Sequence, residues 1–171
     1  MLRLLVLRHA KSDWNRPGTP DFDRPLNARG KATAPLVGRH MKANGLVPRK
    51  AFCSSALRAR ETLAAVMVAI GADAEIRFSD ALYEADPEEL MGFVRANGGA
   101  ASPLLVVGHN PTMRDFAYAL LARDQRALAA EMSLTFPTAA LAVLDTDIED
   151  WGDLAWHGAR LESFMRPREL A

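Results

Sequence analysis

Unbroken apolar runs alternate along this chain with stretches where apolar residues recur every three or four positions, and each pattern predicts a different element. In the stretch Leu2 to Ala10, the run Leu4-Leu5-Val6-Leu7 leads straight into Arg8 and His9. Such a run fits a strand covered on both faces, as in a parallel sheet, and too few residues precede Arg8 for a helix with a core-facing stripe. Pro103 to Val107 is a second buried run of this kind, and Ala51 to Cys53 and Ala74 to Phe78 are shorter strand candidates. Helical spacing marks Leu63, Val66, Met67 and Ile70 as one core stripe, introduced by Ser54-Ser55 as N-cap.

Start and stop signals place the other helices. Asn27 caps a helix predicted from about Ala28 to Asn44 and closed by Gly45, with Pro35 kinking it or shifting its start. Asp86 caps another, with Pro87 at its first position, a box-like Glu89, and Leu90, Phe93 and Val94 on its inner face. Asn110 and Pro111 open a third, whose inner face is Met113, Phe116, Ala117, Leu120 and Leu121. Ala139 to Leu144 and Leu154 to about Phe164 read as a hairpin around the acidic turn Asp145 to Asp153, at an exposed edge. The tail from Arg166 is uninformative. Lys11 to Pro25 has no apolar period and carries three prolines, so it reads as a long loop leaving the end of the first strand, a lid or a plain surface excursion. Lys11, Ser12 and Arg24 could donate to a phosphate from it, or be solvated or paired with Asp21 or Asp23.

At 171 residues the chain has room for one domain with a substantial core, so residues 1–171 are expected to form a single domain. Lys and Arg together number 21 and so do Asp and Glu, which removes the electrostatic case for a nucleic-acid or anionic-membrane partner. Any phosphate site must be a local pocket. The single cysteine, Cys53, sits in an apolar run and reads as a buried, inert thiol suited to a reducing compartment. No apolar stretch of roughly 7 to 15 residues forms a signal-peptide core, and nothing approaches the roughly 20 needed to span a bilayer. A cytoplasmic location is the expectation.

Candidate chemistry collects at strand ends. In open α/β sheets ligands bind beyond the carboxyl ends of the strands, where Arg8 and His9 fall. His109 ends the second buried run as His9 ends the first. His40 and His157, on a helix and within a strand, read as boundary or surface residues. Arg58 and Arg60 fall in the first turns of their helix, where the macrodipole disfavours a cation, so an anion should offset them: Glu61, or a bound phosphate. Two arginines and two imidazoles around a small concavity suit a phosphoryl group. Arginine forks match its oxygens, a neutral imidazole can attack phosphorus, and a protonated one can donate to an oxygen. Adjacent arginines would repel a divalent cation, and no HExxH or CxxC spacing occurs, so a catalytic metal is not expected.

Three segments in order, Leu5-Val6-Leu7-Arg8-His9-Ala10, Ser54-Ser55-Ala56-Leu57-Arg58-Ala59-Arg60-Glu61-Thr62 and Val107-Gly108-His109-Asn110-Pro111, resemble the signatures of the histidine phosphatase superfamily, the phosphoglycerate-mutase-like fold. Arg8 to Trp14 with Asp23-Arg24-Pro25-Leu26-Asn27-Ala28-Arg29-Gly30 is similar to its SixA-like phosphohistidine phosphatase branch, as is Ala10 where most of the superfamily has glycine. The resemblance implies a three-layer α/β/α sandwich with a mostly parallel central sheet. It implies His9 as the nucleophile that becomes phosphorylated, Arg8, Arg58 and His109 as the phosphate pocket, and Glu84 as candidate general acid. It also implies no cofactor, and a phosphorylated substrate such as a phosphohistidine-bearing carrier protein. Two alternatives remain: a phosphomonoesterase for small metabolites, and a phospho-binding module without turnover.

Overall fold

The computed structural model describes residues 1–14 and 16–170; Asn15, inside the polar loop, and Ala171, ending the tail, lie outside them. The strands are β1 (Leu2–Arg8), β2 (Lys50–Ser54), β3 (Glu75–Ser79), β4 (Leu104–Gly108), β5 (Leu141–Thr146) and β6 (Ala159–Met165). They form one sheet in the order β3-β2-β4-β1-β5-β6. The first four run parallel. β5 is antiparallel to both neighbours. The helices are α1 (Ala28–Ala43), α2 (Leu57–Ile70), α3 (Pro87–Asn97), α4 (Thr112–Leu120) and α5 (Ala130–Leu134).

Alternation along the buried strands sends side chains to two cores. Leu4, Val6, Phe52, Leu104 and Val106 meet α3, α4 and α5 on one face. Leu5, Leu7, Cys53, Leu105 and Val107 meet α1 and α2 on the other. The molecule is therefore a three-layer sandwich with a mostly parallel sheet. The chain lays β1, β2 and β3 down with α1 and α2 on one face, then returns with α3 on the other to insert β4 between β1 and β2. That insertion sets the carboxyl ends of β1, β4 and β2 side by side, with Arg8 opposite Gly108 and Cys53 opposite Val107.

Capping held at two of the predicted sites. Asn27 accepts from the Gly30 amide at 2.8 Å, and α1 starts at Ala28 and runs through Pro35. Asp86 accepts from the Glu89 amide at 2.8 Å. Elsewhere the start is displaced. Ala56, not Ser54-Ser55, is the N-cap of α2, because the Ser54 hydroxyl is turned inward and accepts from the Ala56 amide at 3.2 Å. Pro111 caps α4, while the Asn110 side chain accepts from the Arg114 amide at 3.4 Å and donates from Nδ2 to the Phe136 carbonyl at 2.8 Å. β5 continues through Asp145 and Thr146 because Arg3 grips the Asp145 carboxylate at 2.7 and 2.8 Å and the Thr146 hydroxyl donates to the Leu2 carbonyl. Leu154 is buried but precedes the strand, and His157, at φ 62°, is in a left-handed turn rather than in β6. Its ring lies 3.1 Å from an Arg126 nitrogen. β6 does form the sheet edge. Among the described residues, no helix is long and apolar enough to cross a membrane.

Candidate active site

A cleft of about 250 Å³ opens at the aligned strand ends and is lined by Arg8, His9, Arg58 and His109, together with Asp21 and Arg24. The strand register accounts for Arg8, His9 and His109. β1 delivers Arg8 and His9, β4 delivers His109, and the first turn of α2 delivers Arg58. The His9 and His109 ring centroids are 5.1 Å apart.

His9 is only 7% exposed, and its Nδ1 lies 2.7 Å from the Ala10 carbonyl oxygen. A carbonyl can only accept, so Nδ1 carries the hydrogen and the lone pair of the neutral ring sits on Nε2. Burial, reinforced by the nearby His109, Arg58 and Arg8 and opposed by the Ala10 bond, lowers the pKa of His9 to about 3. His109 falls to about 4 through burial and the arginines, with Asp21 opposing. Its Nε2 is hydrogen-bonded to Ser54 Oγ at 2.8 Å, and its buried Nδ1 has no partner among the described residues. The Ala10 amide is held by Thr62 Oγ1 at 3.0 Å, which itself donates to the Arg58 carbonyl at 2.7 Å. One threonine of α2 thus ties the backbone after His9 to the backbone of Arg58.

The arginines are fixed by different partners. Arg8 Nη1 donates to the Phe136 carbonyl at 3.0 Å, and burial lowers the pKa of its guanidinium. Arg58, 5% exposed, donates from Nη1 to the Asp21 carbonyl at 2.7 Å and from Nη2 to the Asp21 carboxylate at 3.0 Å. The buried Nε atoms of both have no partner among the described residues. The anion that offsets Arg58 is therefore Asp21, not Glu61, which instead accepts from the Leu26 amide at 2.9 Å. Arg60 turns away to the Ser55 carbonyl.

The polar loop folds back over the cleft. Its base is closed by an antiparallel bridge between Ser12 and Leu26, and the Asp13 amide donates to the Pro25 carbonyl at 2.8 Å. Gly30 permits this closure, because a Cβ there would stand 2.1 Å from the Lys11 carbonyl oxygen. Arg24 is buried, bonded to Asp21 at 2.9 Å and to Ser12 at 2.7 Å, and lies 3.5 Å over the Trp14 ring. Desolvation pushes the Asp21 carboxyl up, but hydrogen bonds from Tyr83, Arg24 and Arg58 outweigh it and hold the pKa at about 2.

Of the residues singled out from sequence, His9, Arg8, Arg58, His109, Lys11, Ser12 and Arg24 all line the cleft. Glu84 does not: it is exposed, and the same turn sends Tyr83 inward instead, edge-on to His109 at 5.5 Å and hydrogen-bonded to Asp21. Asp21, Ser54, Thr62 and Tyr83 were missed as site residues. Cys53 is buried, and burial raises its thiol pKa. Among the described residues, no three His, Cys, Asp or Glu side chains gather where they could hold a metal ion.

Known proteins resemble this chain in sequence and fold. The sequence model of the histidine phosphatase superfamily (branch 1) matches residues 4–96. An uncharacterized protein of Mycobacterium leprae (strain TN) is 36% identical over 167 residues, spanning 95% of this chain and all of that one. A candidate phosphohistidine phosphatase SixA from Agrobacterium tumefaciens superposes with a TM-score of 0.82 at 33% identity, over 97% of this chain and 98% of that one. The protein histidine phosphatase SixA complexed with tungstate shares the fold at a TM-score of 0.80 and 21% identity, over 99% and 100% of the chains. Family match, fold and paired imidazoles lead to one conclusion: this chain belongs to the histidine phosphatase superfamily, branch 1, and is a histidine-type phosphatase.

Proposed function

We propose that the protein is a metal-independent phosphatase that removes the phosphoryl group from protein phosphohistidine through a phosphohistidine intermediate on His9. The observation that carries this reading is the state of His9: a ring kept neutral by burial and locked through Nδ1 to Ala10, with Nε2 left as the nucleophilic atom. Nε2 attacks phosphorus as the bond from phosphorus to the substrate nitrogen breaks. Arg8 and Arg58 balance the charge spread over the equatorial oxygens. Ser54 Oγ accepts from the Ala56 amide and, in this reading, donates its hydroxyl hydrogen to His109 Nε2, 2.8 Å away. That bond sets the proton of neutral His109 on Nδ1, the atom without a protein partner, as a donor to a phosphoryl oxygen. A leaving imidazole is readily protonated on its far nitrogen from solvent, so the reaction proceeds without a strong general acid. Water then attacks the phosphorylated His9, releasing inorganic phosphate and regenerating the free ring.

The test is phosphate release from a phosphohistidine-bearing carrier domain with chelator present throughout, comparing the wild-type chain with His9→Ala. Release by the wild type alone is the expected result. Release from neither, alongside turnover of a small phosphate ester by the wild type, overturns the phosphohistidine assignment in favour of a phosphomonoesterase.

A further inference from the structure

Beside the His9 cleft lies a larger groove of about 640 Å³ whose charged lining is Lys11, Arg29, Arg166, Arg168 and Glu131. Lys11 and Thr138 line both spaces, so the two share a rim. The chain as a whole is neutral, with 21 cationic and 21 acidic residues, yet here four cations face one carboxylate. Arg166 is already neutralised, by Glu131 and by Glu169 at 2.9 Å. Lys11, Arg29 and Arg168 are exposed, and no carboxylate among the described residues lies within ion-pair distance of them. They converge from three segments: the loop after β1, the first turn of α1, and the turn after β6. Arg29 in a helix's first turn opposes the macrodipole, a placement that an anion in front of it would offset.

We infer that this groove holds an acidic segment of the protein that carries the phosphohistidine, its carboxylates set against Lys11, Arg29 and Arg168. The inference rests on the proposed function and deepens it. A phosphoimidazole reaching His9 enters the smaller cleft, and the shared rim at Lys11 and Thr138 gives the main chain flanking it a path into the groove. There the groove offers positive charge in excess of its carboxylates, Glu131 and Glu169 being engaged by Arg166, so acidic flanks are selected by charge complementarity.

The experiment uses two chemically phosphorylated histidine peptides of equal length, one flanked on both sides by glutamates and the other by glutamines. At low ionic strength the wild-type chain should favour the glutamate peptide about tenfold in kcat/KM, expressed in KM, which corresponds to two or three exposed ion pairs. The preference should collapse near 1 M salt, where the Debye length is about 3 Å. R29E/R168E should reverse it, and R29Q/R168Q should bring the two peptides within about twofold. Equal use of both peptides by the wild type, or an unchanged preference in both variants, overturns the inference alone. Hydrolysis of neither peptide while the phosphohistidine-bearing carrier domain is still dephosphorylated overturns this inference alone, whereas failure on the carrier domain as well overturns the proposed function with it.

Discussion

Asp21 grips Arg58 twice, with its carbonyl oxygen 2.7 Å from Nη1 and its carboxylate 3.0 Å from Nη2. The same carboxylate receives Arg24 and Tyr83, so one anion orients two guanidinium groups of the cleft. It also occupies donors that a phosphoryl oxygen would use and repels its charge. Asp21→Asn should therefore bind inorganic phosphate more tightly, by about 1 kcal/mol or roughly fivefold in inhibition constant, for a partly exposed charge. With the carboxylate gone, nothing holds His109 up against the arginines, so its pKa should fall further below about 4, as NMR titration would register. Weaker phosphate inhibition would mean that Asp21 acts chiefly by holding the arginines in place.

Ser54 and His109 test the proton assignment. Ser54 is fully buried, and in the proposed mechanism its bond to Nε2 directs the His109 proton to Nδ1. Ser54→Ala frees the ring to take the other tautomer and should lower kcat by roughly tenfold with little change in KM, as expected for a donor felt mainly in the transition state. A loss confined to KM would contradict the assignment.

Thr62 couples two functional backbones, accepting from the Ala10 amide and donating to the Arg58 carbonyl. Thr62→Val keeps the shape and leaves a buried amide without a partner, which should cost about 1–3 kcal/mol in denaturant unfolding. Thr62→Ser restores the hydroxyl and should recover most of the loss.

The core and its ends were legible because they rest on local patterns. The run Leu4 to Leu7 could only be a buried strand, and Arg8 and His9 at its end followed. His109 was marked in the same way by the run before it. What escaped depends on tertiary placement. Asp21 lies 37 residues from Arg58 and 62 from Tyr83, inside a loop with no periodicity. Ser54 and Asn110 look like caps in sequence, since serine and asparagine often serve as caps. Both side chains accept from a nearby amide and also reach non-local partners, His109 and Phe136, which displaces the helix starts. Glu61 misled for the converse reason, being adjacent in sequence to Arg60 while its oxygen faces the Leu26 amide.

Acid should destabilise this fold earlier than its carboxylates alone would. His9 and His109 have folded pKa values of about 3 and about 4, against 6.5 in the unfolded chain. Between those limits the unfolded state binds more protons, so stability is complete above about pH 6.5 and declines as pH falls toward 4. Well inside that window each histidine contributes a slope of up to about 1.4 kcal/mol per pH unit. Asp21, held near 2 against 3.8, adds stability that is present above about pH 4 and is lost only as pH falls from there toward 2. Urea unfolding of the wild type and His9→Gln from pH 7 to 4.5 should show the shallower slope in the variant. Parallel slopes would place the His9 pKa near its ordinary value.

Tyr83 and Glu84 sit side by side in one turn and face opposite ways, which separates the expected general acid from the residue that reaches the cleft. Glu84 is exposed, whereas Tyr83 packs edge-on to His109 and donates to Asp21. Glu84→Gln should leave kcat/KM on a phosphohistidine substrate within about twofold, because a leaving imidazole takes its proton from solvent. Tyr83→Phe removes one of the donors that hold the Asp21 carboxyl near 2, so that carboxyl should rise toward its ordinary value, as NMR titration would register. A phosphate ester with a poor leaving group sharpens the comparison, since there an acid is needed. A loss of roughly a hundredfold in Glu84→Gln on such an ester would show this turn rearranging to bring the carboxylate in, at the scale expected of general acid catalysis.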